Sequence, residues 1–391
     1  MKVHSVSEVP GDLIWHKTPI FKFLMVLTIF STMGLQAYMM LFNNFAVETV
    51  GLSGKHIGML QSVREIPGFL ALLAIFILRI LKEHRLSALS VLLLGTGVLL
   101  TGMAPFFSGL VFTTLVMSFG FHYFETTNQS LTLQYFDTAT SPKVFGRLRS
   151  LAAASNIAAG ILILSLSHVF SYSRMYVLIG TIAILAALWG FTRNPTGQHI
   201  PVQRKKMVFR KKYGLFYFLT FMAGARRQIF MAFAVLLLVQ KFHFSVQEVA
   251  ALFVVNNAIN FFLSPLIGRA ILRFGERRIL SLEYASLIVV FIAYAAVSSK
   301  ALVIALYILD HIFFNFSMAI RTYFQKVADP KDIAPSMAVG FTINHVAAVI
   351  LPVIGGFLWM VDYRIPFWAG AVMSLVSLMA VQRIRGVPRT V

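Results

Sequence analysis

The sequence predicts an all-α membrane protein, with about twelve transmembrane helices arranged as two pseudo-symmetric six-helix bundles. Composition is the first reason. Of 391 residues, 58% are hydrophobic and 12% charged, half of the roughly 25% charge that a soluble domain uses to wet its surface. The second reason is the recurrence of long apolar segments, and the third is the way lysine and arginine gather in alternate gaps between them.

A span needs roughly 20 mostly apolar residues to cross about 30 Å of hydrocarbon. Such segments fall at 18–44, 55–80, 86–105, 107–134, 148–170 and 175–193. They resume at 214–239, 247–272, 279–298, 301–324, 337–361 and 365–383. The third and fourth are divided only by Pro105 and a short Phe-Phe-Ser-Gly turn. The first 17 residues carry Glu8 and Asp12 and lack the apolar core of a signal peptide, so the span beginning near Pro19 is expected to stay in the mature protein. Cysteine is absent, which excludes disulfides and thiolate metal sites.

With the N-terminus placed in the cytoplasm, one set of gaps and helix ends holds Lys2, Lys17, Lys22, Arg79, Lys82, Arg85, Lys143, Arg147 and Arg149. The same side takes Arg193, the basic run from Arg204 through Lys205 to Lys212, and Arg269, Arg273, Arg277 and Arg278. It ends with Arg321, Lys326, Lys331, Arg383, Arg385 and Arg389. The opposite side has Lys55, Arg174, Lys241, Lys300 and Arg364. The positive-inside rule then predicts a multi-pass protein of the cell inner (plasma) membrane with both termini cytoplasmic. The net charge of +20 is topological, and no nucleic-acid partner is expected.

The two halves repeat. Tyr135-Phe136 and Pro142-Lys143 recur as Tyr323-Phe324 and Pro330-Lys331, and Asn156 recurs as Asn344, all in one frame. The predicted organisation is a six-helix bundle over 1–193, a basic cytoplasmic linker over 194–213 and a second six-helix bundle over 214–391. Parallel repeats joined in this way are the plan of a two-bundle transporter.

The loop after the eighth segment reads Gly268-Arg-Ala-Ile-Leu-Arg273-Phe-Gly275-Glu-Arg277-Arg278. It resembles the cytoplasmic signature of the major facilitator superfamily, and the likeness extends over essentially the whole chain. Two departures stand out. Leu272 occupies the place of an acidic residue, and the matching first-half loop, Arg79 to Arg85, lacks the glycines. The resemblance implies secondary transport by alternating access, a monomer, and a gating role for Gly268, Arg273 and Gly275. It also implies that the first, fourth, seventh and tenth helices line a central cavity.

Ionisable groups at membrane depth cost roughly 3 kcal/mol each on insertion scales and normally face a cavity or one another. Here they are Arg64 and Glu65 on the second segment, His122 and Glu125 on the fourth, and Arg226 and Arg227 on the seventh. Asp310 and His311 lie on the tenth and His345 on the eleventh, with Asn256, Asn257 and Asn260 on the eighth. His122, Glu125 and Gln129 share one helical stripe, and His311 and Asn315 share another. On the family analogy His122, Glu125, Arg226, Asp310 and His311 line the cavity, with Gln36 as the first-helix counterpart of Arg226. Neighbours such as Arg226 and Arg227 point about 100° apart, so one is expected to pair with a carboxylate on an adjacent helix. A structural alternative is that the three arginines and three carboxylates simply neutralise one another.

Burial favours the protonated carboxyl and a nearby arginine favours the carboxylate, so Glu125 and Asp310 are the candidates for proton coupling. The expected function is proton-coupled export of a small organic or amphipathic compound. The alternative is a symporter or exchanger for an organic anion held by Arg226 and Arg64. No enzyme is expected: the His-Glu-x-x-His pattern of a metallohydrolase and a glycine-flanked serine with a buried base are both missing. Neither cofactor nor metal is called for, leaving the bilayer, a small-molecule substrate and protons as partners.

Overall fold

In hydrocarbon every backbone N–H and C=O must be satisfied within its own segment, so apolar stretches of this length become helices. A computed structural model describes residues 15–52, 54–195, 201–204, 206–244 and 246–384. Lys2, Lys205, Arg385, Arg389 and both chain ends lie outside the described residues. Among those described there is no strand.

Helices occur at all twelve expected places. The first half comprises α1 (Pro19–Asn44), α2 (Gly54–Phe69), α3 (Glu83–Met103), α4 (Phe107–Tyr135), α5 (Ser141–Leu166) and α6 (Tyr172–Thr192). The second comprises α7 (Gly214–Gln228), α8 (Val246–Phe274), α9 (Glu276–Ala296), α10 (Lys300–Phe314), α11 (Ile333–Val361) and α12 (Ile365–Val381). Three spans are interrupted. After α2 the chain tightens into a 3-10 turn at Leu70–Leu73 before Ala74–Ile77. After α7 it widens into a π-helical stretch at Ile229–Ala234 and continues as Val235–Phe242. After α10 it passes through Asn315–Ser317 into Met318–Val327. Among the described residues nine helices are long and apolar enough to cross a membrane, and Ile365–Val381 is a shorter apolar one.

Within the first half α3 is wedged between α4 and α6. Small residues permit this: a Cβ on Gly120 would lie 2.2 Å from the Leu94 nitrogen, and one on Gly180 would lie 2.4 Å from the Leu99 nitrogen. Close backbone approach of this kind drives helix association where lipid supplies no hydrophobic contrast. In the second half α9 packs on α12 and α11 on α7. The halves meet along α5–α8 and where α11 crosses α2 and α4. A buried apolar cluster around Tyr213, Phe216, Tyr284 and Phe324 also takes in Ile75, Leu133 and Phe145 of the first half.

The described part of the linker is docked onto the second half. Arg204 pairs with Asp329 at 3.1 Å and Asp332 at 2.5 Å, and Arg210 reaches Asp332 at 2.9 Å. The Tyr213 hydroxyl donates to the same buried Asp332 at 2.7 Å. At the rim, the Lys331 backbone N–H holds the Asp329 carboxyl below the usual aspartate range.

Candidate functional site

The break in α2 is where helices of both halves converge. Leaving α-helical geometry frees backbone groups, and neighbours satisfy them. The Tyr123 hydroxyl on α4 donates to the Leu70 carbonyl at 3.3 Å, and the Leu72 N–H donates to Thr342 Oγ1 on α11 at 2.9 Å. One turn before the break, Ser118 Oγ donates to the Arg64 carbonyl.

At this junction Glu65, His122 and His345 each place a ligand-type atom within 4.8 Å of the others. Both imidazoles are buried, at 4% and 2% exposure, with ring centroids 4.7 Å apart and planes at 87°. They fit because residue 68 has no side chain. A Cβ on Gly68 would lie 2.7 Å from His345 Nε2 and 2.9 Å from His122 Cε1. His345 Nδ1 lies 2.9 Å from the Phe341 carbonyl. Arg64 binds its neighbour Glu65 through Oε1 alone, at 3.0 and 3.3 Å.

A second group centres on Glu125, which accepts a 2.5 Å bond from Gln129, so the predicted stripe holds for that pair. His122 departs from it toward His345. Three arginines on three helices lie within Coulombic reach of Glu125: Arg149 on α5, Arg227 at the end of α7 and Arg321 beyond α10. Arg149 and Arg321, expected at cytoplasmic helix ends, are half-buried within helices: α5 begins at Ser141 rather than near 148, and the tenth span continues to Val327. The Arg321 guanidinium also sits 5.8 Å from the Phe145 ring centroid.

Arg226 takes a different place. It is 2% exposed and lies inside the second half, 3.8 Å from Glu283 of α9 and 4.4 Å from the Tyr284 ring centroid. It also donates to Ser377 of α12. Asp310, likewise buried, is within its electrostatic reach. The expected pairing of one arginine with a carboxylate on a neighbouring helix is present, and the partner is Glu283, at the edge of a predicted span. The His311–Asn315 stripe extends to α8: Asn260 Nδ2 lies 2.6 Å from His311 Nε2, and Asn315 donates to Asn260 and, at 2.9 Å, to the His311 carbonyl. Asn256 is buried beside this cluster, and Gln36 is half-buried on α1.

The sequence model of the Major Facilitator Superfamily matches residues 216–391. Solved structures of transporters superpose on nearly the whole chain. The fucose:proton symporter FucP of E. coli in its outward conformation gives a TM-score of 0.77 at 13% identity, covering 94% of this chain and 99% of that one. The chain has the fold of a major facilitator superfamily transporter. A bacterial homologue of the iron transporter ferroportin, outward-facing, gives 0.75 at 13% identity over 93% and 99%. The human organic anion transporter MFSD10 gives 0.75 at 11% identity over 93% and 99%. At these identities the likeness carries the fold. No curated protein matches the sequence.

The superfamily-like loop has a structural basis in two of its three residues. Gly268 is where α8 meets the start of α5; a Cβ there would lie 2.3 Å from the Pro142 carbonyl oxygen. Gly275 has φ +83° at the entry to α9, a conformation that costs an L-residue. The Arg273 guanidinium sits 5.3 Å from the Phe274 ring centroid. On the same side a latch joins the halves. The Gln325 amide donates to the Leu133 carbonyl at 2.7 Å and the Phe136 carbonyl at 2.6 Å, and accepts from Ser141 Oγ at 2.5 Å. No motif announces Gln325; only its position beside the repeated Tyr-Phe pair could have drawn attention to it.

Proposed function

We propose that the protein is a proton-coupled secondary transporter that carries a small organic anion by alternating access. The observation that supports this reading is the gathering of Arg149, Arg227 and Arg321, from three helices, within electrostatic reach of Glu125, with Glu283 and Glu65 as the further carboxylates near Arg149 and Arg227. Glu65 and Glu283 are paired with Arg64 and Arg226, which leaves the three arginines short of negative charge, and guanidinium forks match carboxylate and phosphate oxygens. Glu125 then sets the coupling. Ionised, it competes with the substrate for the arginines; protonated, it releases them. Proton and anion therefore load together, as in a symporter. The human transporter MFSD10, of the same fold, is by its name an organic anion transporter.

This reading favours an anion over the neutral amphipathic compound expected from composition. It also replaces Arg226 and Arg64, which are paired with Glu283 and Glu65, by Arg149, Arg227 and Arg321 as the grip. Closure by Gln325 on the basic side implies a cavity that opens to the opposite face. The domain division at 194–213, the cytoplasmic termini and the inner membrane belong to the same proposal and rest on the lysine and arginine asymmetry and the internal repeat; the monomeric state rests on the superfamily resemblance.

The test is uptake into proteoliposomes loaded with a pH-sensitive dye, using pools of carboxylates and phosphate esters beside neutral and cationic compounds. An anion pool should move protons with it. Arg227→Gln should abolish uptake, and Glu125→Gln should leave anion exchange while abolishing proton movement. Transport confined to neutral or cationic compounds, or unaffected by Arg227→Gln, would overturn the reading.

A further inference from the structure

Beside the arginine cluster, and within reach of its Arg227, Glu65, His122 and His345 form a compact donor set where the two halves meet. We propose that these three side chains form a binding site for one divalent transition-metal ion. Each supplies one ligand atom, all within 4.8 Å of one another. Donors in tetrahedral zinc sites at about 2.1 Å stand roughly 3.4 Å apart, so closing on a metal asks for at most about 1.4 Å of approach between donors. The Glu65 side chain, on its flexible stem, can supply it.

Two features point to a ligand and not to packing alone. His122 is 4% exposed, and its Nδ1 has no hydrogen-bond partner; a buried ring nitrogen without a partner is costly. His345 is arranged as metal-binding histidines are. Its Nδ1 faces the Phe341 carbonyl at 2.9 Å, which fixes the proton there and leaves a lone pair on Nε2. That Nε2 is the atom a Cβ at residue 68 would approach to 2.7 Å, so Gly68 keeps the space between the imidazoles open.

The donor set selects the ion. Two imidazoles and one carboxylate suit Zn2+, Co2+ or Fe2+, whereas Mg2+ and Ca2+ demand oxygen ligands. The surrounding charge sharpens that choice. Arg64 and Arg227 both act on this site, so binding has to come from lone-pair donation and not from a field of carboxylates. Glu65 has its Oε1 engaged by Arg64 and would bind the ion through Oε2.

Full-length protein in lipid nanodiscs, stripped with a chelator, provides the test. Zn2+ affinity is read by competition with a chromophoric chelator, and coordination by the visible absorption of the Co2+ form. One Zn2+ per chain should bind, and His122→Gln and His345→Gln should each weaken it by at least about 100-fold, beyond the effect of losing an outer-shell partner. His243→Gln, at an exposed loop position, should bind as wild type does. X-ray absorption of zinc-loaded wild-type protein, which needs no variant to fold, should count two imidazoles in the first shell. No binding, affinity unchanged in both histidine variants, or an all-oxygen shell would each overturn the proposal.

Discussion

Arg226 has two carboxylate neighbours, Glu283 at 3.8 Å and Asp310 within electrostatic reach, and all three groups are buried. Two carboxyl groups share one guanidinium in surroundings that do not solvate a second negative charge, so removing the arginine and removing one carboxyl differ in consequence. Arg226→Met leaves two unpaired carboxyl groups and should cost about 3–5 kcal/mol, the usual loss when a buried pair is broken. Glu283→Gln leaves Arg226 facing Asp310 alone and should cost much less. Unfolding in mixed micelles measures both, and equal losses would contradict the shared-arginine arrangement. This cluster was half legible in the sequence. Arg226 and Asp310 announce themselves as charges deep in apolar runs, whereas Glu283 sits near the start of α9 (Glu276–Ala296), where a carboxylate reads as an interfacial residue. The histidines show the complementary case. His122 and His345 lie more than 200 residues apart, and no spacing rule on one helix can foresee a pair assembled from two.

At the scale of the helix, hydropathy located all twelve spans because it is a local sum, but it blurred their ends. α4 and α8 are 29 residues each, about 43 Å at 1.5 Å per residue, well beyond the hydrocarbon thickness. Polar residues a few turns inside a long helix can therefore be partly buried in the protein, as Arg149 is on the 26-residue α5. Glycines mark where these long helices touch. Gly268→Ala would drive a methyl group to 2.3 Å from the Pro142 carbonyl and should cost about 1–3 kcal/mol, as overpacking does. Gly356→Ala on α11 meets nothing within 4 Å and should be neutral or stabilising by up to about 1 kcal/mol, from helix propensity. Thermal denaturation of the two variants side by side checks the contrast, and a stable Gly268→Ala would mean that α5 and α8 do not pack so closely.

For the molecule as a whole, the question is what holds the halves together on the basic side. The Gln325 latch ties the end of the tenth span to the α4–α5 turn. The chain has no cysteine, so spin labels at Thr138→Cys and Lys331→Cys would report that gap without background. Gln325→Ala should add a longer-distance population, and an unchanged distribution would show that the apolar seam alone keeps this side shut. The internal repeat gave the two-bundle plan, but not this asymmetry. At the matching first-half position stands Asp137, whose carboxylate is spent on the N–H groups of Ala139 and Thr140 in its own turn. The latch consists of an amide, a hydroxyl and two carbonyls, all without net charge. Moving it through the membrane potential does no electrical work, whereas each elementary charge carried across is worth about 2.3 kcal/mol per 100 mV. On the proposed transport cycle, the latch itself therefore adds no voltage dependence to closure. In that cycle, any voltage sensitivity has to originate in charged groups elsewhere, the buried arginines and carboxylates first among them.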